Sequence, residues 1–366
     1  MLIIPHTLSL ITTHTCTAAC DHCCFNCTPK VKDNIPLPRL NSIIDEALEI
    51  PSIRVVVFTG GECFLLGRNL DNLIERANRS KLLTRCVTNG YWGRSLDASR
   101  NRARSLQLAG LNEINFSTGD KHAKFVNPEF VVNAAMACAE HQIYAVINIE
   151  MFKNCRLTHE YFLSNERLLP FIEKGAIRVQ RSSWIEGDGK DSLEHEERFS
   201  RFLPQNKNSC QTVLNVIAVT PSLNLVACCG LHLERIKDLH LGSIASASLK
   251  QVIANSPFDL LKLWIHLEGP ESVLEWVKKY EPSYKLPLNS VHPCETCLHV
   301  YRDEEVRRIL KSTIHLKEAE LIDKYMANLT VRINNELNGN TSMSDRVVIR
   351  QTPGQPVTKA GLPILA

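Results

Sequence analysis

The sequence predicts an α/β protein: a partial (β/α)6 TIM-like barrel followed by a small C-terminal α+β domain rich in cysteine. Between residues 7 and about 182, short apolar segments alternate six times with amphipathic segments, a pattern typical of parallel strands joined by helices. No GxGxxG turn follows any apolar segment, which disfavours a dinucleotide-binding fold. The second domain is indicated by the cysteines, because five of the 14 fall within residues 16–27 and five within 210–297.

The strands and helices of the barrel follow one another in order. Residues 54–58 (RVVVF) form a continuous apolar run typical of a strand covered on both faces. The helices instead repeat their apolar residues at helical spacing. The expected strands are residues 8–13, 54–58, 83–87, 113–116, 144–150 and 176–179. The expected helices are residues 37–48, 69–79, 96–109, 128–141 and 166–174.

The rest of the chain divides by composition. We expect the barrel domain to span residues 7–190 and to end in the glycine-rich, acidic segment 184–191. A cysteine-rich domain is expected over 205–302, and one long amphipathic helix over 303–338. Residues 339–366 are rich in polar residues, Pro and Gly, so we expect a mobile tail.

Composition and charge exclude several classes of function. Hydrophobic residues make up 44% and charged residues 22%, which rules out global disorder. The net charge of +3 is spread along the chain, so neither nucleic acid nor a membrane surface is an expected partner. The first residues lack the basic region of a signal peptide, and no apolar run is long enough to span a bilayer. We therefore expect a cytoplasmic protein, in which cysteines serve metal or redox chemistry rather than disulfides.

Three cysteines follow the first strand with the spacing C-x3-C-x2-C: Cys16, Cys20 and Cys23. Thiolate is the ligand that iron–sulfur clusters select, and three thiolates on a [4Fe–4S] cube leave one iron open to a non-protein ligand. A zinc site completed by Cys24 or Cys27 is the alternative.

Polar residues follow the later strands as well. In a barrel, the chemistry lies on the loops after the carboxyl ends of the strands. The candidate residues at these positions are Gly60, Gly61, Glu62, Asn89, Ser117, Glu150 and Arg181.

The order of CTAACDHC, TGGE and TNG after the first three strands resembles the radical S-adenosylmethionine superfamily over about residues 7–182. This resemblance implies that Cys16, Cys20 and Cys23 bind a [4Fe–4S] cluster whose open iron is chelated by S-adenosylmethionine. It implies that Gly60, Gly61 and Glu62 receive the methionine amino group. Ser117 and Glu150 would be ribose or carboxylate contacts, with Asn89 a further cofactor contact; Arg181 would face the cofactor or lie in a surface salt bridge.

The chemistry implied by the resemblance is reductive cleavage of S-adenosylmethionine to a 5′-deoxyadenosyl radical, which takes a hydrogen atom from the substrate. The electron would come from a donor such as flavodoxin or ferredoxin. Cys63 departs from the superfamily pattern, in which proline often follows GGE, and we expect it to be a buried thiol. Cys24 and Cys27 are structural thiols or hydrogen-atom donors. Three nearby histidines are expected to be packing or solvent-facing residues: His14, His22 and His122.

The C-terminal cysteines form a second candidate site. Four thiolates make a closed site for zinc or for a fully ligated [4Fe–4S] cluster, and Cys229 could replace its neighbour Cys228. The hairpin VLNVIAVTPSLNLVACCG and the segment LGSIASASLKQVI resemble twitch/SPASM auxiliary domains, which implies a second [4Fe–4S] cluster that carries electrons. The ligands would be Cys210, Cys228, Cys294 and Cys297.

The resemblance also limits the classes of substrate that we expect. Enzymes with this architecture modify ribosomally made peptides or oxidise small alcohols, so a peptide or protein substrate and a twitch-type alcohol dehydrogenase are both hypotheses. A zinc-stabilised scaffold without catalysis is the alternative from another class.

Overall fold

A computed structural model describes residues 4–152, 154–182, 209–287 and 290–337. Its nine strands form one sheet in the order β6-β5-β4-β3-β2-β1-β7-β8-β9. The neighbours from β6 to β1 are all parallel, which confirms the predicted partial barrel. The strands are β1 Thr7–Ile11, β2 Val55–Thr59, β3 Leu83–Thr88, β4 Glu113–Thr118, β5 Tyr144–Glu150, β6 Ile177–Ser182, β7 Val216–Val219, β8 Asn224–Val226 and β9 His240–Ser243.

Helices connect the parallel strands and continue through the C-terminal half. Helix α9 is interrupted at Gly269, whose φ of 81° and ψ of 164° are not helical, and the following Pro270 cannot donate the helical hydrogen bond. The helices are α1 Leu37–Leu48, α2 Arg68–Arg79, α3 Leu96–Ala109, α4 Asp120–Ala123, α5 Pro128–Glu140, α6 His159–Leu163, α7 Leu169–Glu173, α8 Leu249–Asn255, α9 Leu260–Tyr280, α10 Pro293–Arg302, α11 Glu304–Thr313 and α12 Glu318–Leu337.

The strands separate an apolar outer face from a polar inner face, since successive side chains in a strand alternate between faces. In β4, Ile114 and Phe116 are fully buried in the main hydrophobic core, to which the helices also contribute. Asn115 and Ser117 lie on the opposite face and are partly accessible. The inner face of the barrel is therefore the surface on which polar groups are available.

The cysteine-rich part of the chain is joined to the barrel by the sheet itself. Strand β7 pairs in parallel with β1, with Val216 opposite Thr7, and β8 and β9 continue as an antiparallel extension. Strand β1 thus lies between β2 of the barrel and β7 of the C-terminal extension. The sequence indicated separate strands here but not that they extend the barrel sheet.

The expected single C-terminal helix is two helices, α11 and α12, separated by a short 3-10 turn. Thr313 leaves the helical φ/ψ region, and its hydroxyl accepts a hydrogen bond from Trp276 Nε1 at 3.1 Å. The expected barrel exit at 184–191 and the tail at 339–366 lie outside the described residues. Every helix in the described part of the chain is too short or too polar to cross a bilayer.

Candidate cofactor site at the carboxyl ends of the strands

The cysteine loop, residues 12–28, leaves the carboxyl end of β1 and carries Cys16, Cys20 and Cys23. Isolated bridges close it, joining Thr13 to Asn34 and Thr15 to Thr28. The loop is therefore a folded structure seated on the end of the barrel.

Gly60 and Gly61 lie directly against this loop. Gly61 N–H donates to Thr13 O at 2.6 Å, and the next N–H donates to Thr15 O at 3.0 Å. A Cβ at Gly60 would lie 2.4 Å from Thr13 O, and one at Gly61 would lie 2.3 Å from Thr15 O. Such distances are far below van der Waals contact. The two glycines thus allow the cysteine loop itself to approach β2, a role that the sequence did not indicate.

Glu62 turns inward and is fully buried. Its carboxylate accepts hydrogen bonds from Thr88 Oγ1 at 2.9 and 3.0 Å and from the N–H groups of Phe64 and Asn89 at 3.0 and 2.9 Å. Burial raises the pKa of Glu62 to about 7, against the lowering effect of these donors. The side chain ties β2 to β3, and its proposed contact with a methionine amino group stays a prediction.

Asn89 contacts the cysteine loop from the end of β3. Its Nδ2 donates to Thr17 Oγ1 at 3.0 Å and lies 3.6 Å from Cys16 Sγ. Because the side chain is 6% exposed, these contacts are shielded from solvent. The residue predicted as a cofactor contact thus holds the first cysteine in place.

Glu150, at the end of β5, is 1% exposed and in contact with two histidines. Its Oε2 lies 2.5 Å from His22 Nε2 and 3.0 Å from His122 Nδ1. Its Oε1 accepts the Lys121 N–H at 2.7 Å. Burial opposes ionisation, but the histidine hydrogen bonds outweigh it and hold the pKa of Glu150 at about 2.

The expectation of solvent-facing or packing histidines is only partly met. His22 and His122 are buried, as packing residues are, but both contact a carboxylate. His14 lies 3.2 Å from Glu234. The contact between His22 and Glu150 could not be predicted from the sequence, because the two residues are far apart along the chain. Ser117 lies on the inner face of β4 beside β5, where its register partner is Asn148.

The three thiols of the first site differ in their surroundings. Burial raises the pKa of Cys16 to about 11 and raises that of Cys20 further. A hydrogen bond from the Cys27 thiol lowers the pKa of Cys23 to about 6, and the Cys27 N–H also donates to Cys23 Sγ at 3.3 Å. Cys27 thus has a structural contact beside a predicted ligand.

The C-terminal thiols converge between the end of β8 and the first turn of α10. A Cβ placed on Gly230 would lie 3.0 Å from Cys294 Sγ and 3.1 Å from Cys228 Sγ. Cys297 follows Cys294 by three residues on the same helix face, and both Cys210 and Cys228 interact electrostatically with it. Cys229 points elsewhere, since its thiol donates to Ser9 Oγ on β1 at 3.1 Å. The geometry favours Cys228 over Cys229 as a ligand.

The spacing of the thiols tests which metal group they fit. In a tetrahedral zinc site with Zn–S bonds of about 2.3 Å, the sulfurs lie roughly 3.8 Å apart. Among the residues that the structure describes, no three thiols have their sulfurs all within 4.8 Å of one another. Wider spacing suits a cluster, in which each thiolate binds a different iron. Neither cysteine set is therefore closed to the spacing of a tetrahedral zinc site, and thiolate is the donor that iron–sulfur clusters select.

Two further thiols near the sites, Cys63 and Cys24, are not among the predicted ligands and have different surroundings. Cys63 is fully buried, as expected, and donates to Val87 O at 3.3 Å. Cys24 interacts electrostatically with Cys23 of the first set, with Cys294 of the second set and with Cys229.

Residues 10–153 match the family described as the radical SAM superfamily. The chain carries a radical SAM domain. The matched residues contain the cysteine loop, both glycines and the ends of the first five strands. The resemblance inferred from the three motifs is confirmed, and an iron–sulfur cluster and S-adenosylmethionine are inherent to this family.

A curated relative and two solved structures are similar to this chain. "Putative peptide biosynthesis protein YydG" from Bacillus subtilis (strain 168) is 28% identical over 127 residues, which are 35% of this chain and 40% of that protein. The chain thus matches less than half the length of this relative.

The two structures are similar in fold. Streptococcus suis SuiB bound to precursor peptide SuiA gives a TM-score of 0.51 at 14% identity, covering 75% of this chain and 74% of that one. Native anSMEcpe with bound AdoMet and Cp18Cys peptide gives 0.50 at 14% identity, covering 87% and 98%.

Proposed function

We propose that this protein is a radical S-adenosylmethionine enzyme that takes a hydrogen atom from a peptide or protein substrate, with an auxiliary [4Fe–4S] cluster relaying electrons. The observation that carries the proposal is the three-cysteine loop of the radical SAM domain, seated at the carboxyl end of β1 and backed by Gly60 and Gly61. When bound, the first cluster and S-adenosylmethionine supply a 5′-deoxyadenosyl radical, formed with one electron from a donor such as flavodoxin or ferredoxin.

The residues of the chain hold and shield this site. Cys16, Cys20 and Cys23 are the proposed ligands, and Gly60 with Gly61 places their loop against β2. Backbone groups of that turn, Glu62 and Ser117 are the proposed contacts of S-adenosylmethionine. Asn89 holds Cys16 from the side.

The second cluster is proposed at Cys210, Cys228, Cys294 and Cys297. Support comes from the position of Cys228 and Cys294 beside Gly230, from the electrostatic interaction of Cys297 with Cys210 and Cys228, and from a spacing wider than zinc requires. Strand β7 places this set in the same sheet as β1. An electron released by the substrate radical would therefore have a nearby acceptor.

A peptide substrate is supported by the chemistry of the inner barrel face. Asn148 and Gln180 are hydrogen-bonded to each other there, and Asn115 and Ser117 are partly accessible beside them. Neutral amides and hydroxyls both donate and accept, as peptide groups do. The related proteins with peptide names or bound peptides point in the same direction. Dehydrogenation of a small alcohol is the second candidate, and we place either reaction in the cytoplasm.

The test of the reaction is anaerobic reconstitution followed by reduction in the presence of S-adenosylmethionine. We expect about eight irons per chain and release of 5′-deoxyadenosine. The variant with alanine at Cys16, Cys20 and Cys23 should lose about four irons and all cleavage. Cys138→Ala is the matched control, since Cys138 is a buried thiol outside both sets. Stoichiometric zinc without cleavage would instead indicate the scaffold.

The test of the substrate is isotope transfer. Deuterated peptides and deuterated small alcohols are offered to the reconstituted enzyme, and the deuterium content of 5′-deoxyadenosine is measured. Transfer from a peptide supports the proposal, whereas transfer from an alcohol alone replaces it by the dehydrogenase.

A further inference from the structure

A buried trio of side chains joins the cysteine loop to the ends of β4 and β5. His22, His122 and Glu150 are 1%, 8% and 1% exposed. One ligand atom from each lies within 4.8 Å of the other two. The histidine rings meet edge to face, with centroids 5.1 Å apart.

The barrel side of this trio is built to fix the carboxylate. Gly119 follows β4, and a Cβ there would lie 2.1 Å from Glu150 Cγ. The Lys121 N–H fixes Oε1 at 2.7 Å, while His122 lies 3.0 Å from Oε2. The carboxylate therefore has one defined position under the first turn of α4.

The cysteine loop contributes one residue to the trio, His22, which lies between two proposed cluster ligands. His22 lies between Cys20 and Cys23 in sequence, and its Nε2 is 2.5 Å from Glu150 Oε2. At the surface, Asp21 forms a second connection to Lys124 at 3.1 Å. The other end of the loop is held by the Asn89 contacts described above. The half that carries Cys20 and Cys23 thus depends on the trio.

We propose that Glu150 is a positioning residue, which holds His22 and thereby arranges Cys20 and Cys23 before a cluster is assembled. Its oxygens contact the Lys121 N–H and the two histidines, so the contacts in the structure connect it to the cysteine loop. The consequence for the cluster rests on the proposed function, whereas the contact itself belongs to the cluster-free chain. A carboxylate makes charge-assisted hydrogen bonds to both imidazoles here, which an amide would replace by weaker neutral ones.

The test uses the full-length, cluster-free protein, reduced and anaerobic, so that its outcome does not depend on S-adenosylmethionine cleavage. Iodoacetamide is added, and alkylation of single cysteines is followed by mass spectrometry. In Glu150→Gln we expect Cys20 to react about tenfold faster, the factor set by losing a hydrogen bond to a charged group. The charge of Glu150 also raises the pKa of the Cys20 thiol, so the same acceleration is required in His22→Gln, which keeps that charge. Cys294 in the second set should keep its rate. Ser182→Ala is the matched control, because Ser182 is the register partner of Glu150 on β6.

A double variant separates positioning from general loss of structure. His22→Gln breaks the same contact from the loop side and serves alone if Glu150→Gln does not fold. The doubly substituted protein should react no faster at Cys20 than the faster of the two single variants, because both substitutions remove the His22–Glu150 contact.

Three results would overturn the proposal. The first is an unchanged Cys20 rate, and the second is an equal rise at Cys294. The third is a divalent metal retained by a protein lacking both cysteine sets and lost in Glu150→Gln, which would make the trio a metal site.

Discussion

The buried carboxylate of Glu62 should make the stability of this protein fall as the pH rises towards neutrality. Its pKa is raised from 4.5 to about 7 by burial, so between these values the folded chain holds a proton that the unfolded chain has released. Stability therefore decreases with rising pH through this window and levels off above it. The difference between the two pKa values corresponds to a decrease of about 3 kcal/mol in the free energy of unfolding, since each tenfold change in proton affinity is worth about 1.4 kcal/mol.

Glu62→Gln removes this titration. In this variant the Thr88 hydroxyl and the Asn89 N–H lose part of their acceptor. This loss lowers the free energy of unfolding by the same amount at every pH. Relative to the wild type, the variant should gain about 3 kcal/mol between pH 4.5 and pH 7.5. Urea unfolding of the cluster-free, reduced protein at several pH values measures this difference, with the exposed Glu166→Gln as control. A difference between variant and wild type that is the same at every pH would refute the reasoning.

Three further experiments on substituted proteins have defined outcomes. Gly61→Ala should at least halve the iron bound by the first site, measured in a Cys294→Ala background, because its Cβ would lie 2.3 Å from Thr15 O. Cys228→Ser should lose about four irons while Cys229→Ser keeps them, and equal losses would contradict the assigned ligand. The pKa of Glu150 is lowered to about 2, so its carboxylate stabilises the fold above pH 4.5, and this contribution disappears as the pH falls to 2. Glu150→Gln should therefore flatten the acid unfolding curve recorded by circular dichroism over that range.

The barrel was predictable because its information is local. Alternating apolar and amphipathic segments gave helices such as Leu37–Leu48 and Leu96–Ala109 with their observed bounds. The cysteine loop was found for the same reason, since its three thiols lie within eight residues. A periodic pattern reports which face of an element is buried, and a short motif reports its own spacing.

The missed features are contacts between distant residues. Nothing in the sequence pairs β7 with β1, because parallel strands share no turn that would reveal their register. The approach of His22 to Glu150 joins residues 128 positions apart, and the turn at Gly119 that makes room for it looks like any other glycine turn. The glycines of the second motif suggested an approaching ligand, whereas the nearest group is the backbone of the loop itself.

The pairing of β1 with β7 has a consequence for how the protein is made. The cysteine loop is synthesised before its neighbour in the sheet, because Val216, where β7 begins, follows Cys16 by 200 residues. At about 5–20 residues per second, translation leaves the cysteine loop without its final neighbour for about 10–40 s. During that time its thiols are attached to an unfinished sheet and open to oxidation or to the wrong metal. Cluster insertion should therefore follow the synthesis of β7, and a protein truncated before Val216 should accumulate without iron.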